Sequence, residues 1–203
     1  MRSTLIALLV VALAVPAFAA ENPDIRVYLD FDSEGGGQHR IDGLSQLDIF
    51  NVYVVLDCFG DGGGTRGIGF TFEREATLAA IVGTPVNYLG GLSNGNPEAP
   101  TPADGGTNFL AGSDCVMPDA NGVVVCGYVP YTFVAGTGYI KIGPNEISGR
   151  EVLDCDFLFD DLFCVYAHCA VGADPPAGEP DCECEPPSPV EDSTWGSIKA
   201  LYR

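Results

Sequence analysis

The spacing of aspartate and glutamate residues near the start of the chain is the first pattern that indicates a chemical function, the binding of a cation. Residues 30–35 alternate acids with other residues ahead of a glycine, as the opening of a loop that surrounds Ca²⁺ does. The twelfth position of such a loop is Ile41 and not glutamate, so an EF-hand is excluded. Two interpretations remain, a looser calcium site or a solvated acidic turn. The candidate ligands are Asp30, Asp32, Glu34 and Asp42.

A second group of acids lies near the end of the chain, around Cys155 and Cys164. Two carboxylates that face each other across a cleft can act as acid and base on a glycoside. Acidic turns beside disulfides are the alternative explanation. The four acids are Asp154, Asp156, Asp160 and Asp161.

Two short motifs resemble catalytic or nucleotide-binding signatures. Residues 91–95 fit G-x-S-x-G around Ser93, and His168 follows downstream. A nucleophile elbow needs a helix after the serine, whereas Pro97 and Pro100 interrupt any helix there. Residues 62–67 fit G-x-G-x-x-G, but the segment after them is strand-like, and a dinucleotide site needs a helix at that point. Both motifs are therefore interpreted as turns or loops, and no cofactor other than calcium is expected.

The eight cysteines indicate disulfides, because an even count in an exported chain is typical of a disulfide framework. No Cys-x-x-Cys pair occurs, and His39 and His168 lie far apart in sequence, which disfavours zinc. A hairpin loop at residues 119–122 would place Cys115 opposite Cys126, within disulfide reach. The sequence thus predicts a Cys115–Cys126 bridge and a second bridge between Cys155 and Cys164.

The first 19 residues have the three parts of a secretory signal peptide. Arg2 precedes an apolar stretch at residues 5–15, and Ala17 and Ala19 form an Ala-x-Ala cleavage site. The apolar stretch is shorter than the roughly 20 residues that a membrane span needs. We expect cleavage rather than an uncleaved anchor, and a secreted, cell-surface or periplasmic location.

The formal net charge of −19 restricts the partners. Cleavage removes Arg2 and no acid, which makes the mature chain more negative still. Such a field repels phosphate backbones and anionic membrane surfaces, so neither is expected as a partner. A protein or glycan outside the cell and self-assembly remain as candidates, while the charge also serves solubility alone.

Alternation with a period of two dominates residues 25–172. Ile25, Val27 and Leu29 alternate with polar positions, and similar patterns occur at residues 50–56, 68–72 and 123–133. Glycine and proline interrupt the chain at short intervals, and no long amphipathic helix is apparent, which favours a β-sandwich or barrel. Residues 73–82 are the one helix-tolerant stretch of this domain, and residues 90–108 form a long irregular loop.

The composition changes near residue 173. Residues 173–192 are rich in proline and acids and predict an extended linker. In residues 193–203, the apolar side chains Trp195, Ile198 and Tyr202 share one face of a short helix. A helix of this length is unstable alone. It therefore either packs on the domain or serves as a recognition or sorting element.

Two segments carry resemblances to known proteins. Residues 50–57, followed by residues 67–72, resemble the opening strands of cohesin-like and other immunoglobulin-like sandwiches. The tail T-W-G-S-I-K-A-L-Y-R resembles a C-terminal signature of exported proteins of environmental bacteria. Together with the alternation, these resemblances predict an all-β, disulfide-stapled β-sandwich over residues 20–172. The expected function is a non-enzymatic, exported binding or surface-associated module. A structural subunit of an extracellular assembly and a glycan-active hydrolase are the alternatives.

Overall fold

The protein folds as two β-sheets packed around one core. The structure, a computed structural model, describes residues 25–60, 63–98, 106–112, 114–143, 151–161, 164–165 and 168–174. Every regular element in these residues is a strand, which confirms the all-β prediction. The strands are β1 (Arg26–Asp30), β2 (Arg40–Ile41), β3 (Ile49–Asp57), β4 (Gly67–Arg74), β5 (Leu78–Val82), β6 (Val86–Asn87), β7 (Gly90–Gly95), β8 (Thr107–Ala111), β9 (Val124–Gly136), β10 (Gly138–Gly143), β11 (Glu151–Leu153), β12 (Phe159–Asp161), β13 (Cys164–Val165) and β14 (His168–Val171).

The first sheet has the order β13-β1-β3-β9-β5, and β6 also pairs with β9. The second sheet has the order β12-β11-β4-β10-β14-β2, and β8 joins it on β4, with β7 on β8. Most pairs are antiparallel, whereas β1 with β13 and β14 with β2 are parallel. Strand β4 is the centre of the second sheet, because β8, β10 and β11 all pair with it.

Alternating apolar residues form the core between the sheets. On β3 the buried inward positions include Phe50, Val52 and Val54, and on β4 they are Ile68, Phe70 and Phe72. These are positions that the period of two selects in the sequence, since successive strand side chains point to opposite faces. Tyr131 on β9 stacks on Phe50, with ring centroids 5.4 Å apart.

Two segments differ from the sequence-based expectation. The helix-tolerant residues 73–82 contain the end of β4 and all of β5, and β5 pairs with β9. Leu78 is buried in the core while Ile81 is exposed, so packing against β9 overrides local propensity. The expected irregular loop at residues 90–108 contains β7 and the start of β8, which pair with each other.

Both predicted disulfides are wrong, because Cys115 is bonded to Cys155. The turn at residues 119–122 does form, with the Gly122 amide donating to the Asp119 carbonyl at 3.0 Å. Its two arms then diverge: Val116 pairs with Thr65, and β9 pairs with β3. The Thr65 hydroxyl also lies 3.2 Å from the carbonyl oxygen of Leu153. Thr65 thus brings the segment of Cys115 beside that of Cys155.

The remaining described cysteines behave differently. Cys58 is disulfide-bonded. Cys126 and Cys169 are free thiols buried in the core, and burial raises the pKa of both thiols. They therefore pack as small apolar groups.

The predicted signal peptide, linker and C-terminal tail, including Trp195, Ile198 and Tyr202, lie outside the described residues. No helix with the length and hydropathy of a membrane span occurs in the part of the chain that the structure describes.

The Cys115–Cys155 bond generates a first prediction. Its partners are 40 residues apart, and closing a loop of that size stabilises a fold by about 4 kcal/mol through loss of unfolded-chain entropy. Cys115→Ser should lower the free energy of unfolding by roughly this amount, as measured by urea denaturation. Cys155→Ser and the double variant should lose the same amount, because one bond is removed in each case. A double variant that lost the sum of two single effects, or peptide mapping that joined Cys115 to another cysteine, would contradict the prediction.

Candidate functional site

A row of apolar positions crosses the outer face of the second sheet. Leu110 pairs with Gly67, Gly67 with Leu153, and Leu153 with Phe159. The neighbouring row of Val152, Ile68 and Phe109 points into the core, so the first row faces away from it. We call Phe159, Leu153, Gly67 and Leu110 the outer strip. Its four strands span about 14 Å at the usual strand spacing.

Gly67 lets the strip lie flat on its central strand. A Cβ atom at this position would lie 2.5 Å from the Phe109 carbonyl oxygen and 2.8 Å from Leu110 Cδ2. The Leu110 side chain therefore leans over the glycine backbone. Leu110 is 37 % exposed and Phe159 is 59 % exposed, so the strip offers apolar surface to a partner.

Residues 154–158, which we call the tip, connect β11 to β12 and extend this surface. Phe157 and Leu158 are exposed side chains in the tip, and Phe159 follows directly. Phe157 has a φ of +64°, a left-handed conformation that costs a residue other than glycine about 1–2 kcal/mol. Glycine or asparagine would be the ordinary choice for such a position.

Hydrogen bonds fix the shape of the tip. The buried carboxylate of Asp154 accepts the Leu158 amide at 2.7 Å. The Asp154 amide donates to the Leu158 carbonyl at 2.8 Å. The disulfide at Cys155 ties the base of the tip to the segment of Cys115. Two hydrogen bonds inside the tip and one disulfide at its base thus hold its shape.

Arg66 holds the tip from the side of β4. Its guanidinium carbon lies 4.1 Å from the centroid of the Phe157 ring, a cation–π contact. Its Nε donates to the Cys155 carbonyl at 2.9 Å, and its backbone amide donates to the Leu153 carbonyl at 2.7 Å. One residue therefore fixes both the ring and the backbone of the tip.

Acids border the strip and the tip. Asp156 is exposed at the tip and Asp114 is exposed next to Cys115. The surface is therefore apolar in its middle and acidic at its border.

A tyrosine cluster occupies the outer face of the first sheet. Tyr53 pairs with Tyr128 across β3 and β9, with ring centroids 5.3 Å apart, and Tyr88 lies 5.6 Å from Tyr128. Burial, with Tyr53 and Tyr128 nearby, raises the pKa of Tyr88, so its hydroxyl stays protonated. Asn51 donates to the Tyr53 hydroxyl at 3.4 Å. Tyr88 is half exposed and gives this face an accessible ring.

The four calcium candidates do not converge on a common site. Asp30 is buried, and its carboxylate accepts backbone amides from Asp32, Gly37 and Gln38 at 2.6–2.9 Å. Asp42 forms a two-point ion pair with Arg40, which lowers the pKa of Asp42. In the described residues, no group of three His, Cys, Asp or Glu side chains is arranged to hold a metal ion. The Asp32 carboxylate accepts the Glu34 amide, so the acids order a turn.

The other candidate catalytic residues are dispersed. Ser93 lies within β7, and its hydroxyl donates to the Pro85 carbonyl at 3.2 Å. His168 begins β14 and Asp160 lies in β12. Asp154 is buried in the tip, whereas Asp156 is exposed. A depression of about 410 Å³ lies near Asp57 and Met117, and the Asp57 carboxylate in it is paired with Arg26.

The tip was missed by the sequence analysis. Its signal is the apolar triplet Phe157, Leu158 and Phe159 between pairs of acids. The acids predicted a catalytic site in the sequence, whereas the structure exposes the apolar side chains Phe157, Leu158 and Phe159 between them.

Comparisons with known proteins show a likeness of fold. No family model matches the chain, and no curated protein matches it. Among solved structures, the chain is similar to a cohesin module from a family 33 glycoside hydrolase of Clostridium perfringens. The TM-score is 0.51 with 9 % identity, over 73 % of this chain and 96 % of that module. A chain of a type I cohesin–dockerin complex from Clostridium thermocellum reaches a TM-score of 0.43 with 14 % identity, over 73 % of this chain and 99 % of that chain. The first comparison confirms the cohesin-like part of the predicted resemblance.

The role of Asp30 generates a second prediction. Asp30→Asn removes the charge of a buried carboxylate and replaces one acceptor oxygen by a donor, so at least one backbone amide loses its acceptor, which should lower the free energy of unfolding by roughly 3 kcal/mol. Asp42→Asn is the matched control, and its exposed ion pair should contribute nothing measurable. Urea denaturation measures both effects. A chelator should leave the melting temperature of each protein unchanged. The role would be contradicted if a chelator lowered the melting temperature of wild type and Asp42→Asn but not that of Asp30→Asn.

Proposed function

We propose that this chain is a non-enzymatic, exported binding module that recognises a protein outside the cell. The observation that carries the proposal is the outer strip, which exposes apolar side chains together on one sheet face. Single exposed apolar residues are ordinary, but a contiguous group with a polar border is typical of an interaction site. The strip and the tip would then form the binding surface.

Energetics supports this assignment. Fully burying a leucine or phenylalanine contributes about 1.5–3 kcal/mol. The strip leaves part of that contribution unused at Phe159 and Leu110, and the tip does so at Phe157 and Leu158, which are partly exposed. A partner that covered these four side chains would gain several kcal/mol before the cost of association.

The cohesin-like fold supports a modular binding role. The similar chain from Clostridium perfringens is itself a module of a glycoside hydrolase. The signal-peptide pattern supports export, and the disulfide supports an oxidising compartment.

The tyrosine cluster favours a glycan as the second candidate ligand. Sugar rings pack on exposed aromatic faces, and Tyr88 offers one beside Tyr128 and Tyr53. A glycan array with wild type and Tyr88→Ala distinguishes this candidate from the protein ligand.

Peptide selection on the folded protein tests the proposed function. Peptides selected from a displayed random library should bind wild type and lose about tenfold in affinity for Phe159→Ala and for Leu110→Ser, because both remove apolar contact area. Ile81→Ser is the control, since Ile81 is 62 % exposed but lies on β5 of the other sheet. Biolayer interferometry gives the affinities.

Two results would overturn the proposal. One is a set of selected peptides that bind the strip variants and wild type alike. The other is turnover of a glycan substrate that is lost when Ser93, Asp160 or His168 is replaced.

A further inference from the structure

The tip contains an exposed phenylalanine in a strained backbone conformation, which protein binding in general does not require. Phe157 adopts a left-handed conformation that phenylalanine rarely takes, and its side chain is 65 % exposed. Core packing therefore does not account for phenylalanine at this position. Strain that persists at an exposed residue points to a role of the side chain itself.

The tip is held rigid before any partner arrives. The Arg66 guanidinium covers one face of the Phe157 ring, and the Asp154 carboxylate fixes the Leu158 amide. The side chain is nevertheless 65 % exposed, so a partner can reach the ring. A rigid aromatic anchor loses little conformational entropy on binding.

Charge restricts what the tip binds. Asp156 and Asp114 are exposed beside it, and the whole chain carries a net charge of −19. A second copy of the chain or an anionic membrane would bring like charges together around an apolar contact. Complementary charges at the border speed encounter and select the partner.

We infer that Phe157 of the tip and Phe159 directly after it insert among apolar side chains of a protein segment that carries lysine or arginine around them. This inference rests on the proposed function and adds the chemistry of the partner to it. The acidic border then contacts the cations while the two rings contact the apolar centre.

The test uses two designed helical peptides that share one leucine face. One peptide carries lysines beside that face, and the other carries glutamates. The lysine peptide should bind wild type, and its affinity should fall about tenfold or more between roughly 50 mM and 500 mM NaCl because exposed charges are screened. The glutamate peptide should not bind.

Phe157→Gly is the informative variant, because glycine accepts the left-handed backbone and removes the ring. Its melting temperature should equal or exceed that of wild type, while its affinity for the lysine peptide should fall about tenfold. Ile81→Ala, on the other sheet, is the control and should bind like wild type. This combination separates loss of binding from loss of folding.

The outcomes distinguish the inference from the proposed function. Equal binding of both peptides, with Phe157→Gly weakening both, would overturn the basic partner and leave the protein-binding function standing. Lysine-peptide binding that Phe157→Gly left unchanged, no binding of the lysine peptide, or self-association of wild type through the tip in sedimentation velocity would overturn the inference. The proposed function itself is overturned by the two results given for it, selected peptides that are insensitive to the strip variants and glycan turnover.

Discussion

The buried row of Val152, Ile68 and Phe109 is the constraint on which the outer surface of this protein depends. These side chains lie in register across β11, β4 and β8 and are fully or almost fully buried. Because strand side chains alternate, a slip of one residue would turn this row outward and the strip inward. The core therefore determines which residues the sheet exposes. The strip is a consequence of packing, and its apolar character is a separate choice of the sequence.

In the tip, an unfavourable backbone conformation is offset by local stabilising contacts. The left-handed Phe157 costs about 1–2 kcal/mol, and a cation–π contact of the Arg66 type returns about 0.5–1 kcal/mol at an exposed site. The disulfide at Cys155 and the hydrogen bond from the Leu158 amide to the Asp154 carboxylate make up the difference. A sequence optimised for stability alone would place glycine at residue 157. In this protein, the stabilising contacts of the tip instead hold the exposed Phe157 ring in place.

The sequence predicts the sheets better than the site, for identifiable physical reasons. Alternation at residues 50–56 and 68–72 marks the side chains that face the core between the sheets, so the sequence predicts β3 and β4. Disulfide pairing depends on where chain segments meet, and the segments of Cys115 and Cys155 meet where Thr65 contacts both of them. The spacing of Asp30 and Asp32 resembles a cation loop, yet backbone amides occupy the buried Asp30 carboxylate. Exposure of the tip likewise follows from long-range pairing that spacing does not reveal.

The negative net charge affects how the exposed apolar surface interacts with other molecules. An apolar strip on an uncharged protein would favour pairing with its own copies. A net charge of −19 opposes such pairing through like-charge repulsion, which reduces the tendency of an exposed strip to self-associate. The same charge lowers the barrier for a basic partner and raises it for an acidic one. Under the proposed function, acidity and apolar exposure, which appear unrelated in the sequence, would act together as attraction toward a basic partner and protection from self-association.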